Sequence, residues 1–255
     1  NSMKILNPLG EDTSIMRTTI LPSMLEILTR NYNYRNKAVR LYEIGKVYFA
    51  RPDGMADEPK LLCLGGYGGG MDFFQLKGAV ERILAGLRIS DVTFEAESEN
   101  PSYHPGRCAK VYAGGKLLGV LGQIHPLAAA NYGVDAELYT AELQLDGMLA
   151  ARGVTPVYTP LPRFPAVTRD VAIVCSADIP VAKLSACILA AGGQYLKGCE
   201  LFDVYTGAPI PAGYKSVAFS LTLRADDQTL TDDHAEETMQ SVLKALKETF
   251  NATIR

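Results

Sequence analysis

Metal-binding spacings are absent from this sequence: histidine occurs three times (His104, His125, His234), and no H-x-x-x-H or C-x-x-C pair frames a structural zinc. The five cysteines (Cys63, Cys108, Cys175, Cys187, Cys199) are odd in number and widely spaced, which suits buried thiols in a reducing cytoplasm better than a disulfide framework. No G-x-S-x-G motif occurs and no cysteine has a recognisable catalytic context, so nucleophilic hydrolysis has no visible carrier. No apolar run approaches the roughly 18 residues of a membrane span, and residues 1–7 lack a cationic segment followed by an apolar one, so neither a membrane partner nor secretion is predicted. A basic excess is missing as well: up to Thr155 there are 16 Lys and Arg against 17 Asp and Glu, and from Pro156 onward 9 against 11. Neither half is expected to bind nucleic acid autonomously through net charge. An initiator methionine is lacking, and Asn1-Ser2-Met3 leads directly into folded-domain sequence from Lys4 to Arg17, so the chain reads as a piece of a longer polypeptide.

With 47% apolar and 21% charged residues, the 255-residue chain has a globular composition and room for one large domain or two ordinary ones. Residues 151–165, ARGVTPVYTPLPRFP, carry four prolines and no periodicity, the pattern of a stiff extended linker. The expected division is a domain over 1–150, a linker over 151–163 and a domain over 164–255. In the first domain Pro22 opens an amphipathic helix carrying Met24, Leu25, Ile27 and Leu28 to about Asn31. Strands are predicted over 39–49, 60–67, 91–96, 109–113, 116–124 and 138–145, with a Gly114-Gly115 hairpin and a helix over 72–87. So few helices permit few parallel crossovers, so the sheet should be mainly antiparallel. In the second domain strands over 169–175, 196–207, 216–225 and 251–255 and helices over 180–193 and 232–250 follow the order β-α-β-β-α-β, a ferredoxin-like arrangement, with Thr231 as an N-cap. The fold class is therefore α+β.

Four features bear on chemistry. Gly65 to Gly70 lies between a strand and a helix, as a phosphate loop would, but neither G-x-G-x-x-G nor G-x-x-x-x-G-K-[ST] fits; a flexible connection is the favoured reading. His104-Pro105-Gly106 and His125-Pro126 have the composition of turns. A free-standing small-molecule enzyme using the glycine run with His104 or His125 is the alternative these features leave open. Six acids and no Lys or Arg lie between Arg224 and Lys244, as in a solvated turn and helix N-terminus. Along 216–225, Val217, Phe219, Leu221 and Leu223 alternate with Ser216, Ala218, Ser220, Thr222 and Arg224, so one set packs on the helices and the other forms an exposed small-polar face.

Long ordered stretches resemble the C-terminal part of the bacterial-type phenylalanyl-tRNA synthetase beta subunit family. They include NPLGEDTSIMRTTILPSMLEILTRN (7–31), RLYEIGKVYF (40–49), HPGRCAKVYAGGKLLGVLGQIHP (104–126), FPAVTRDVAIVC (164–175) and KSVAFSLTLR (215–224). The resemblance implies a class II synthetase-like core without catalytic apparatus, followed by a ferredoxin-fold anticodon-binding domain. The second class II signature ends in F-R-x-E; with its glutamate on Glu43, the ATP-clamping arginine position holds Leu41, and no G-x-G-x-x-R-like third signature occurs. The family thus implies no catalytic residues, metal or cofactor in this piece, with ATP and Mg2+ used by the holoenzyme. It implies a catalytic alpha subunit as partner, in a heterotetramer of two alpha and two beta, and phenylalanine tRNA as the RNA; editing and N-terminal RNA-binding modules belong upstream. Pairing of class II cores through their first signature makes the N-terminal helix, through Leu25 and Leu28, together with the Leu41 to Phe49 strand region, the expected subunit contact. For tRNA, side-chain chemistry nominates Arg163, Arg169, Lys215, Arg224 and Arg255 for phosphates, Tyr205 for stacking, and Ser220 and Thr222 for bases.

Overall fold

The computed structural model describes residues 2–158 and 160–255. The chain divides into two compact units, Asn1–Pro156 and Val157–Arg255. The expected linker, 151–163, includes Thr159, which lies outside the described residues, as does Asn1; none of its described residues after Ala151 is in helix or strand.

The first unit runs α1 (Leu21–Asn33), β1 (Val39–Lys46), β2 (Phe49–Ala50), β3 (Ala56–Asp57), β4 (Lys60–Tyr67), α2 (Phe73–Gly86), β5 (Val92–Ala96), β6 (Tyr103–Ala113), β7 (Lys116–Ile124), α3 (Pro126–Asn131), β8 (Tyr139–Gln144) and α4 (Leu145–Ala151). Six strands form one sheet in the order β1-β4-β8-β7-β6-β5, and each neighbouring pair is antiparallel. Gly114 and Gly115 both have positive φ, as the two-residue turn between β6 and β7 demands. Both sheet faces are covered. Cys63, Tyr67, Tyr103 and Ile124 pack with Met24, Leu25 and Leu28 of α1 and Ala129 of α3. On the other side Leu62, Val111, Ala141 and Leu143 pack with Leu76, Val80 and Leu84 of α2 and Met148 of α4. Gly65 lets α1 close on the sheet, since a Cβ there would lie 2.5 Å from the Met24 sulfur.

Several predicted boundaries shift for identifiable reasons. The first strand ends at Lys46 instead of 49 because its ladder partner runs out: Pro59, next in register opposite Val47, accepts the Val47 N–H but has no N–H to return, and Tyr48 N–H donates to the Arg17 carbonyl. His104-Pro105-Gly106 is not a turn but lies inside β6, where pairing jumps from Tyr103↔Ile124 to Cys108↔Gly122; this irregularity tolerates the proline. Short helices α3 and α4 replace what read as turn and strand end.

The second unit runs β9 (Val167–Ser176), α5 (Val181–Ala191), β10 (Leu196–Tyr205), β11 (Tyr214–Leu223), α6 (Asp232–Phe250) and β12 (Thr253–Ile254). Its sheet order is β10-β11-β9-β12, all antiparallel neighbours, so β9 and β10 flank β11 and run parallel through the α5 crossover. This is the predicted ferredoxin-like topology. Thr231 caps α6, its hydroxyl accepting from His234 N–H at 3.4 Å, and Asn251 ends the helix in the left-handed conformation.

Candidate nucleic-acid interface

The period of two along β11 sets the faces of the second unit. Val217, Phe219 and Leu221 are buried under Leu184 and Ile188 of α5 and Val242 and Leu246 of α6. The opposite face is less open than the alternation implies: Ser216 and Ala218 are buried, while Ser220, Thr222 and Arg224 are half-buried. Register supplies the reason. Tyr205 stands opposite Ser216, and Arg255, whose N–H donates to the Ala172 carbonyl, brings its guanidinium 5.8 Å from the Tyr205 ring centre. The two large side chains meet over that end of the face, in cation–π geometry. Tyr205 is further held by donating its hydroxyl proton to the Ala208 carbonyl at 2.7 Å.

Register also adds residues that the strand-by-strand reading missed. Asp170 and Glu200 flank Ser220, and Asp203 stands beside Ala218; all three are exposed. Pairing β9 and β10 against β11 at period two is the signal that would have found them, but register was not available from the sequence. The middle of the face is therefore hydroxyl and carboxylate, and its cations lie at the margins. A phosphate is repelled from the centre, whereas base edges can donate there.

Two nominated cations lie elsewhere. Arg169 stands opposite Leu221, which turns it toward the helix side, and its guanidinium is 3.2 Å from the Asp232 carboxylate in the first turn of α6. Lys215 is only 9% exposed and donates its ammonium protons to the Ala177 and Ile179 carbonyls, closing the loop between β9 and α5. It has no free surface to offer a phosphate. Arg224 follows β11, its N–H donating to the Tyr195 carbonyl, with Nε buried and unpartnered. Arg163 is exposed ahead of β9. In the acidic run, Asp226 pairs with Lys197 at 2.7 Å, and that hydrogen bond holds its carboxyl below the usual range.

The subunit-contact expectation needs correction at the residue level. Leu25 is 4% exposed and Leu28 0%, both within the core under the first sheet, because their helical spacing puts them on the buried face of α1. The exposed apolar groups of this region are Ile27 on α1 and Tyr42 and Ile44 on the edge strand β1.

Leu41, which the family resemblance aligns with the ATP-clamping arginine, packs toward α1. Glu43 is held by Arg17 at 2.8 Å, and Arg17 also donates to the Lys46 carbonyl at 3.0 Å. This local set does not fit a nucleotide triphosphate: the residue that would neutralise phosphate is aliphatic, and the neighbouring charges satisfy each other. The glycine run gives no support to a phosphate loop. Gly65 and Gly66 belong to β4, Gly68 to Gly70 turn with positive φ, and the start of α2 already holds the Asp72 carboxylate, which accepts from Gln75 N–H at 2.7 Å. His104 Nδ1 accepts from Gly106 N–H and His125 Nδ1 from Leu127 N–H, the latter capping α3.

Residues 1–145 match the family model described as phenylalanyl tRNA synthetase beta chain CLM domain, and residues 162–255 match that of the ferredoxin-fold anticodon binding domain. A phenylalanine–tRNA ligase beta subunit from Clostridium acetobutylicum is 42% identical over 257 residues, covering 100% of this chain and 32% of the relative. That from Moorella thermoacetica is 41% identical over 268 residues (100% and 33%), and that from Bacillus subtilis 35% over 260 (97% and 32%). The chain thus spans about a third of the length of these curated relatives. An antiparallel sheet unit followed by a β-α-β-β-α-β unit is what the two models cover in turn, and the chain belongs to the phenylalanyl-tRNA synthetase beta chain family.

Proposed function

We propose that this chain is the non-catalytic, RNA-holding and subunit-assembling part of a phenylalanine–tRNA ligase, working with a catalytic alpha subunit and contacting phenylalanine tRNA near its anticodon. The observation that carries the proposal is the second unit: its anticodon-binding family match coincides with a sheet face whose centre is polar and whose margin bears Tyr205 and Arg255. Tyr205 presents a ring for stacking, worth about 1–3 kcal/mol per base, while Arg255, Arg224 and Arg163 position phosphates and Ser220 and Thr222 meet base edges. Asp170, Glu200 and Asp203 keep the backbone off the centre of the face. ATP and Mg2+ belong to the alpha subunit in this reading, and no chemical step runs through Leu41 and Glu43. The contact with the alpha subunit involves the edge strand β1 through Tyr42 and Ile44, whose unpaired side and exposed apolar groups suit an assembled sheet.

In the reconstituted alpha–beta enzyme, Arg255→Ala and Tyr205→Ala should each raise KM for tRNA several-fold and leave phenylalanine-dependent pyrophosphate exchange unchanged. If KM for tRNA does not move in either folded variant, the sheet face is not the anticodon contact. The pure chain should give no pyrophosphate exchange at all; any exchange dependent on phenylalanine would place catalysis in this chain.

A further inference from the structure

The largest group of cations uninterrupted by an acid in the first unit is at the turn after α1. Between Ile27 and Tyr42 the sequence has four cations (Arg30, Arg35, Lys37, Arg40) and no acid, within a chain of net charge −3. Six of the other twelve Lys and Arg of the unit (Arg17, Lys46, Arg51, Lys77, Arg107 and Lys110) meet a carboxylate among the described residues, whereas none of these four, grouped along one turn, is in an ion pair there. Compensation of the α1 dipole accounts for Arg30, in its last turn, but that effect fades beyond the terminal turn and leaves the other three unexplained.

The turn is rigidly built. Arg35 has φ 62°, a left-handed conformation costly for a residue with a Cβ, and its N–H donates to the Tyr32 carbonyl at 2.9 Å. Asn36 donates its side-chain amide to Asn31 at 2.7 Å and accepts at its carbonyl from the Tyr67 hydroxyl at 2.9 Å. Gly68 lets the turn before α2 press against this segment, since a Cβ there would lie 2.0 Å from the Lys37 carbonyl. Together they form an open groove of about 690 Å³, lined by Arg35, Lys37, Asn33, Asn36 and Tyr67, with Arg40 donating to the Gly69 carbonyl at its side. Its one acid, Glu137, is already occupied by the Tyr139 hydroxyl and the Arg107 guanidinium. Beside the groove, Tyr34 is 75% exposed.

We infer that this groove, with Arg35, Lys37 and Arg40 as phosphate contacts and Tyr34 as a neighbouring aromatic surface, is a second RNA contact of the chain, separate from the sheet face of the second unit. An open groove with cations spread along a turn engages a chain of phosphates several at a time, whereas a small anion needs donors converging on one point. The inference rests on the reading that the chain serves a tRNA ligase, and its test separates the two.

The 255-residue chain is titrated with phenylalanine tRNA at several salt concentrations, starting low. Arg35→Asn, which keeps a residue tolerant of positive φ, is combined with Lys37→Gln; Arg255→Ala is measured in parallel. The double variant should bind about tenfold more weakly at low salt, and its slope of log affinity against log salt should be shallower by about 1.4–1.8, or two phosphate contacts. If the double variant does not fold, Lys37→Gln alone should flatten the slope by about 0.7–0.9. An unchanged slope in the folded variant, no tRNA binding by the wild-type chain, or loss of alpha-subunit copurification with tRNA binding intact each overturns the inference. If only Arg255→Ala weakens binding, the sheet face stands and the groove falls; if only the groove variant does, the reverse holds.

Discussion

The two sheets of this molecule solve burial differently. In the first unit β4 is buried along nearly its whole length, because helices cover both faces of a six-stranded sheet. In the second unit β9 alternates along its length, half-buried with exposed over 167–170 and buried with half-buried over 171–176, because α5 and α6 cover one face and leave the other partly to solvent. A sheet filled on both sides is a scaffold: its side chains have partners already, and new chemistry must sit at its edge or turns. A sheet with one open face keeps polar side chains available. The difference leaves the first unit's free polar groups to its edge and turns, and the second unit's to the sheet face itself.

The largest effect that would break this comparison is on α1. Leu28→Asp puts a carboxylate at a position with no exposure, and should cost several kcal/mol, enough to abolish the first unit's melting transition while the second unit's remains. Ile27→Asp, one residue away but exposed, should stay within about 0.5 kcal/mol. Equal stability of the two variants in a calorimetric scan would mean that α1 does not seal the sheet. Glycine substitutions sharpen the same contrast at smaller scale. At Gly65 an alanine Cβ would lie 2.5 Å from the Met24 sulfur, so Gly65→Ala should destabilise by about 1–3 kcal/mol, limited by how far the Met24 tip can move. At Gly198 on β10 the nearest atoms are 3.6 and 3.7 Å away, so Gly198→Ala should be neutral or stabilise by up to about 1 kcal/mol. Thermal melts of the two variants rank them directly.

Acid titration gives a weaker probe. Glu97, buried beside Lys110, is held below the usual carboxylate range first by the Lys110 hydrogen bond and then by the Glu99 N–H. A depressed native value means that its stabilisation is fully present above the unfolded pKa, about 4.3, and is lost as pH falls through the lower folded value. The melting temperature of wild type minus that of Glu97→Gln should therefore shrink between about pH 5 and pH 3, and a constant difference would remove Glu97 from acid sensitivity. Cys63, pushed up to about 12 by burial, should resist thiol reagents at neutral pH until the unit unfolds.

Much of this fold was legible because its signals are local. Period two along 216–223, the Pro22 helix start, the Gly114-Gly115 turn and the Thr231 cap each depend on residues a few positions apart, and all four are present. What misled depends on contacts distant in sequence. The first strand stops after Lys46 because Pro59, opposite Val47, has no N–H to return and Tyr48 turns to Arg17, and His104 to Gly106 joins a strand because β7 lies alongside with pairing that skips. The candidate site divides likewise. Tyr205 and Arg255 are 50 residues apart yet meet, whereas Arg169 and Lys215 have the right chemistry on strands but face inward or across to partners. Residue type names the chemistry available, and register decides which side it serves.

The smallest effect concerns Arg169, and it separates stability from function most cleanly. Its ion pair with Asp232 spans β9 and α6, but the side chains are 42% and 95% exposed, so solvent and salt screen most of the attraction. Arg169→Ala should change stability by no more than about 0.5 kcal/mol, and less in high salt. Because the guanidinium lies on the helix side of the sheet, the variant should also leave KM for tRNA in the reconstituted enzyme unchanged. Arg255→Ala, on the opposite side, should raise it several-fold. A rise in KM for Arg169→Ala equal to that for Arg255→Ala would mean that RNA reaches the α6 end of the unit, and the open face would lose its claim to be the contact.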